Sequence, residues 1–325
     1  MLLRELSNIL RVGLCGEFRD HSVNSRNSSG KFSQNWASIN GTIIAQAPEG
    51  YFYARKEAVL KTMTRFAPGE GLKTEKMPGH WVLARLGKRV LRPGGMQLTR
   101  RMLGALGIQR TDDVVEFAPG MGVTARLTLE LRPASYTAVE RDEAAAKIVS
   151  GFFKRERQQC VVGSASDTGL PDQCATVVYG EAMLTMQTEE MKRQIVREAY
   201  RLLKSGGRYG IHEMCLMSDT LDEKTKRETE SALTGVVHHG VRPLAVSEWR
   251  SLLESEGFEI QSVDMAPMSL LEPGRLIRDE GLAGALRFVW NLLRDSEARR
   301  RVLEMRSVFR RYRKQLGAVA ITGKR

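Results

Sequence analysis

The chain has 325 residues, 42% hydrophobic and 27% charged, with a formal net charge of +12, enough for one large domain or two small ones with an ample core. No apolar run reaches the roughly 18–20 residues of a membrane span, and Arg4, Glu5 and Arg11 interrupt the N-terminus too early for a signal peptide. Four cysteines (Cys15, Cys160, Cys174, Cys215) lack CxxC or Cys/His spacing, which argues against a metal site or a disulfide framework and suits a reducing cytosol.

Residues 1–76 read as an N-terminal extension. HSVNSRNSSGKFSQNWASIN is rich in Ser and Asn and poor in periodic apolar residues, the pattern of a flexible segment, while YFYARKEAVLKTMTRF (51–66) has the spacing of one helix. A regular pattern, expected to be one domain over 77–325, begins near Met77. RPGGMQLTRRMLGALGI gives a turn and then a helix with Met96, Leu98, Met102, Leu103 and Leu106 as its apolar set. Strand 113–117 and helix 123–132 follow, then strand 136–140, with Asp142 capping a helix through Phe153. Strands at 160–162 and 175–180 precede a helix at 188–203 that stops at KSGG, and RYGIH (208–212) is a fifth strand. Ser247 is expected to cap the helix SEWRSLLESEG. FEIQSVDM (258–265) is a sixth strand, and helices occupy about 268–316 as an insertion before a final strand in GAVAITGKR.

Strands alternating with helices predict an α/β fold with a doubly wound, mainly parallel sheet. Ligands in such sheets bind beyond the carboxyl ends of the strands. Glu116, Glu140, Tyr179 to Glu181, and His212 with Glu213 are therefore expected as neighbours.

DVVEFAPGMG (113–122) carries the most information. It is a β-branched strand ending in a carboxylate, then a tight glycine turn, then a helix start, which together make a cradle for a nucleotide-type ligand. Gly120, Gly122 and Ala125 fit GxGxxA, which also matches a dinucleotide fingerprint with Glu140 on the ribose. Glu116 beside the turn repels phosphate and favours a ligand bearing an ammonium group. LLKSGGR (202–208) and the late pair of strands weigh the same way.

With these motifs the chain resembles the class I S-adenosylmethionine-dependent methyltransferase family over about 90–265 and again near 318–323. EFAPGMG (116–122) resembles the family's first motif, with Ala118 where a glycine is usual. AVERD (138–142) resembles its second-strand motif, GSA (163–165) the turn that touches adenine, and LLKSGGR its LLKPGGR turn. RPGGMQLTRRML (92–103) is similar to the segment before the first strand in small-molecule enzymes of the phosphoethanolamine type. The resemblance implies a seven-stranded Rossmann-like sheet and S-adenosylmethionine as cofactor. It also implies a cofactor site made of Arg92, Gly95, Glu116, Ala118, Pro119, Gly120, Gly122, Glu140, Ser164 and Ala165.

The reaction so implied is an in-line methyl transfer, which depends mainly on orientation and needs a base only for a protonated acceptor. Glu181 and His212 are the candidate acid/base residues, and no metal is expected, since His238 and His239 lack further ligands at suitable spacing. Neither an NPPY-like tetrad nor a Pro-Cys pair follows the fourth strand, where YGEA stands. A small-molecule acceptor, a metabolite or a thiol, is therefore the leading expectation. One alternative is an RNA- or DNA-directed enzyme using the basic stretch RRRVLEMRSVFRRYRK. Another is a non-catalytic cofactor-binding module. The helical insertion is read either as core packing or as a cover that keeps water from a small apolar acceptor.

Overall fold

The computed structural model of the protein describes residues 73–325. The Ser/Asn-rich stretch and the helix expected at 51–66 lie outside them. Two helices, α1 (Gly79–Arg85) and α2 (Gly95–Leu106), precede the first strand. The strands are β1 (Asp113–Phe117), β2 (Ser135–Glu140), β3 (Gln158–Val162), β4 (Ala175–Glu181), β5 (Leu203–Leu216), β6 (Leu244–Ala245), β7 (Glu259–Pro267) and β8 (Leu316–Lys324). They form one sheet in the order β3-β2-β1-β4-β5-β8-β7, with the two-residue β6 beside β5. The seven main strands are those expected, and β6 is the addition. β1 to β5 pair in parallel, and β8 runs antiparallel between β5 and β7.

Helices α3 (Val123–Glu130), α4 (Glu143–Ser150) and α5 (Glu189–Leu202) alternate with the parallel strands, and α6 (Glu223–Val237) and α7 (Val246–Ser255) follow β5. Period-two alternation sends successive strand residues to opposite faces. Val115, Phe117, Val178 and Ile211 pack with Ile195, Val196 and Leu202 of α5 and Trp249 of α7. Val114, Tyr136, Ala138, Val177 and Tyr179 pack on the other face against Leu98, Met102 and Leu106 of α2 and Ala125 of α3.

Local chemistry explains most boundaries. Asp142 accepts from Ala145 N and caps α4 as expected, although that helix stops at Ser150 rather than Phe153. Helix α5 ends at Leu202, but residues 203–207 belong to β5 instead of forming a free turn. Ser247 is not the cap of α7. The cap position is Ala245, whose N–H donates to Glu248, and Ser247 instead bonds Asp219.

The insertion comprises α8 (Pro273–Arg294), broken at Gly281, and α9 (Ser296–Arg311). An acidic pair, Asp279 and Glu280, fastens α8 to the segment before α2. Glu280 accepts from the backbone N–H groups of Arg89 and Val90, each at 2.8 Å, and the buried Lys88 ammonium sits 3.7–3.8 Å from both acids. Among the described residues, no helix is long and apolar enough to cross a membrane.

Candidate active site

A cavity of about 480 Å³ opens at the carboxyl ends of β1, β2 and β4, where the sheet rule places it. Arg92, Glu116, Ala118, Pro119, Gly120, Glu140, Ser164, Ala165 and Glu181 all line it. Three expected site residues do not, and the reason is packing in each case. A side chain at Gly95 would strike the Asp279 carboxylate at 2.5 Å, so glycine here admits α8. A side chain at Gly122 would strike Phe152 at 2.5 Å. His212 is fully buried behind the wall.

The glycine turn has the backbone its sequence implied. Ala118 takes φ 48°, Gly120 φ 54° and Gly122 φ 67°. The left-handed value at Ala118 accounts for the glycine usual at that position. Nothing lies within 4 Å of where a side chain at Gly120 would begin, so the backbone there faces open space.

Period two aims three carboxylates at the cavity from the same sheet face, and each meets different donors. Glu140 accepts from Gly120 N at 2.9 Å and Asp142 N at 3.0 Å, and burial pushes its pKa up. Glu116 accepts from the phenols of Tyr136 and Tyr179, the latter at 2.7 Å, yet burial dominates and raises its pKa to about 7. Glu181 is opposed by burial, but the Arg92 guanidinium at 3.1 Å and His212 Nδ1 at 2.8 Å outweigh it and hold the carboxyl at about 2. Thr99 and Thr124 donate their hydroxyls to the same carboxylate.

These surroundings revise the expected acid/base pair. A carboxyl held at about 2 stays ionised at neutral pH, so Glu181 anchors charge and does not exchange protons. His212 Nε2 lies 2.6 Å from the Pro93 carbonyl and its Nδ1 faces Glu181, both acceptors. With both ring nitrogens engaged away from the cavity, His212 positions Glu181 rather than acting as a base.

Glu213, also expected near the site, points to the opposite face of the sheet. It accepts from Met183, Leu184 and Thr185 N–H groups and thereby fixes the loop after β4. That loop includes Ala182, which has a left-handed φ of 52°.

Several cavity residues carried no motif. His80 and Trp81 come from the seven-residue α1, too short to show periodicity, and Met183 and Met186 follow β4. His239 reaches the cavity from the loop after α6, whereas His238 terminates that helix in a left-handed conformation. Among the described residues no cluster of His, Cys, Asp or Glu is placed to hold a metal ion.

A "Methyltransferase domain" family model matches residues 115–211. The chain is 32% identical over 220 residues to a Haemophilus influenzae protein called uncharacterized, covering 66% of this chain and 86% of that one. It is 25% identical over 199 residues to a sterol 24-C-methyltransferase of Neurospora crassa, across 58% of this chain and 49% of that protein. Among solved structures, phosphoethanolamine N-methyltransferase 2 of Haemonchus contortus, in complex with S-adenosyl-L-methionine, shares the fold. The TM-score is 0.58 at 14% identity, over 81% of this chain and 60% of the other. The chain belongs to the class I S-adenosylmethionine-dependent methyltransferases. It is an enzyme of that class, with S-adenosylmethionine as its cofactor.

The donor set fits that cofactor. The cavity lies within the roughly 300–1,000 Å³ of small-molecule sites. Its carboxylates at Glu116 and Glu140 suit ammonium and hydroxyl groups and disfavour a phosphate.

Proposed function

We propose that the enzyme, through a domain spanning about residues 77–325, methylates a small-molecule acceptor inside this cavity. Glu140 takes the ribose hydroxyls of the cofactor, the turn at Ser164 and Ala165 faces its adenine, and Gly120 permits close backbone approach. Arg92, Glu116, Ala118 and Pro119 surround its methionine end. The cofactor supplies an electrophilic methyl group on a sulfonium.

The chain's own contribution is orientation and exclusion of water, which can lower a barrier by several kcal/mol, on the order of 7–11 at best. The Arg92–Glu181–His212 cluster holds the cavity wall rigid and neutralises its own charge.

The observation that carries the small-molecule reading is the substrate-sized cavity itself, walled by Trp81, Met183 and Met186 above the strand tips. The sterol methyltransferase that the chain resembles is likewise named for a small-molecule acceptor.

The basic C-terminal stretch supports this reading over a nucleic-acid acceptor, because three of its seven arginines are used internally. Arg301 is buried and donates to the Thr74 and Met77 carbonyls, and Arg306 and Arg310 engage Glu272. A panel of small alcohols, thiols and amines, run beside RNA and DNA oligonucleotides and read by mass spectrometry, tests it. Methylation of at least one small molecule is expected, and methylation of oligonucleotides alone would overturn the reading.

A further inference from the structure

Beside the main cavity lies a second, smaller one of about 60 Å³. The two share His80, Leu91, Ala182 and Met186 as wall residues. Ala182 directly follows Glu181, so this annex adjoins the Arg92–Glu181 end of the main cavity, opposite the turn at Ser164. Its walls include Leu83 from α1, Met214 from β5, Val241 from the loop after α6, and Met305 and Phe309 from α9. The helical insertion thus contributes to an apolar surface beside the main cavity as well as to the core.

The annex offers almost no polar chemistry. Among the described residues, its only polar side chains are His80 and Thr185. The Thr185 hydroxyl is committed to Glu213 at 2.6 Å and to Met214 N at 3.2 Å. His80 Nδ1 is buried and has no hydrogen-bond partner among the described residues. A buried polar atom left unpaired is costly, and such atoms in native structures call for a partner. Burial, followed by the nearby His239, pushes the imidazole pKa down to about 4, so the ring is neutral at physiological pH and can accept a hydrogen bond.

We propose that the annex holds the hydrocarbon end of the methyl acceptor, and that His80 Nδ1 at the shared wall accepts a hydrogen bond from the acceptor's polar head. The acceptor class is an uncharged amphiphile, a short hydrocarbon carrying one hydroxyl or thiol. The proposal rests on the small-molecule reading above. Charged groups are excluded from the annex by the cost of desolvation, and the methionines at 186, 214 and 305 allow it to adapt to different chain shapes.

The test is calorimetric binding of straight-chain alkan-1-ols and alkane-1-thiols, from two to eight carbons, to protein saturated with S-adenosylhomocysteine. Affinity should climb about fourfold per carbon over the first few carbons and then level, the increment of a buried methylene. Met305→Ala should carry the climb further by about two carbons, because truncation of a buried side chain leaves usable space. His80→Ala should weaken every alcohol by about five- to tenfold without changing the slope, and His80→Gln, which retains an acceptor oxygen, should recover part of that loss.

Affinity independent of chain length, or an unchanged plateau in a Met305→Ala protein that still binds S-adenosylhomocysteine, overturns the annex assignment. Equal loss in the alanine and glutamine variants overturns the role of His80. Failure of the wild-type protein to bind S-adenosylhomocysteine would instead remove the cofactor-site reading on which the proposal stands.

Discussion

Replacing Glu181 with alanine removes a carboxylate that four buried partners share. Arg92 Nε lies 3.1 Å from it, His212 Nδ1 2.8 Å and Thr99 Oγ1 2.5 Å, and Thr124 donates to its other oxygen. The folded protein holds this carboxyl at about 2, against 4.5 for a free glutamate. At about 1.36 kcal/mol per pH unit, that difference is worth about 3 kcal/mol of folding stability. Breaking a buried ion pair from one side typically costs about 3–5 kcal/mol, which agrees.

The sign follows from the depressed folded pKa. The contribution is complete above the unfolded value of 4.5 and declines as pH falls from there towards about 2. Urea denaturation of wild type and Glu181→Ala should therefore differ by about 3 kcal/mol at pH 7, narrowing by about 1 kcal/mol at pH 3.5. Glu181→Gln, which keeps the shape and loses the charge, should show the same narrowing. A difference below about 1 kcal/mol at pH 7, or one that ignores pH, would refute the view that Glu181 is the ionised anchor of this wall.

Glu116 should behave oppositely. Its folded pKa is raised to about 7, so stability is full below 4.5 and is lost as pH rises through 7. Glu116→Gln should flatten the stability profile between pH 5 and 8, and a wild-type fall in that variant would assign the effect to another group. Glu140→Ala should weaken S-adenosylhomocysteine binding by roughly ten- to a hundredfold in calorimetry, the loss of hydrogen bonds to a charged group. An unchanged dissociation constant would remove the ribose assignment. Ala118→Gly should stabilise the protein by up to about 1 kcal/mol, because alanine pays a steric cost at φ 48° that glycine avoids. A lower denaturation midpoint would count against strain at that turn.

The strand tips were legible because two simple periodicities determine them. Strand 113–117 was placed to the residue, and period two with the carboxyl-end rule brought Glu116, Glu140 and Glu181 to one cavity. What escaped the sequence depends on partners far along the chain. Gly95 looks like part of a ligand-binding turn until Asp279 arrives from α8 beneath it, and Gly122 is taken up by Phe152. His212 stands at a strand tip, yet its register opposite Glu181 and the Pro93 carbonyl use both nitrogens. His80 offered no signal, since its helix is seven residues long and its importance comes only from the walls around it.

The two carboxylates in the cavity wall show how neighbours, rather than residue type, assign roles. Both are buried, and burial is the largest influence on each. Glu181 has a guanidinium and an imidazole against it, so its charge is matched within the protein. Glu116 has two neutral phenols in contact and only the more distant field of Arg92, which Glu181 already engages. Phenols can share a negative charge but cannot balance it. Among the described residues, Glu116 therefore has no cation in direct contact, and either a proton or the cofactor's ammonium group, proposed to lie on this wall, would neutralise it. Replacing Tyr136 or Tyr179 would alter how well that carboxylate is held.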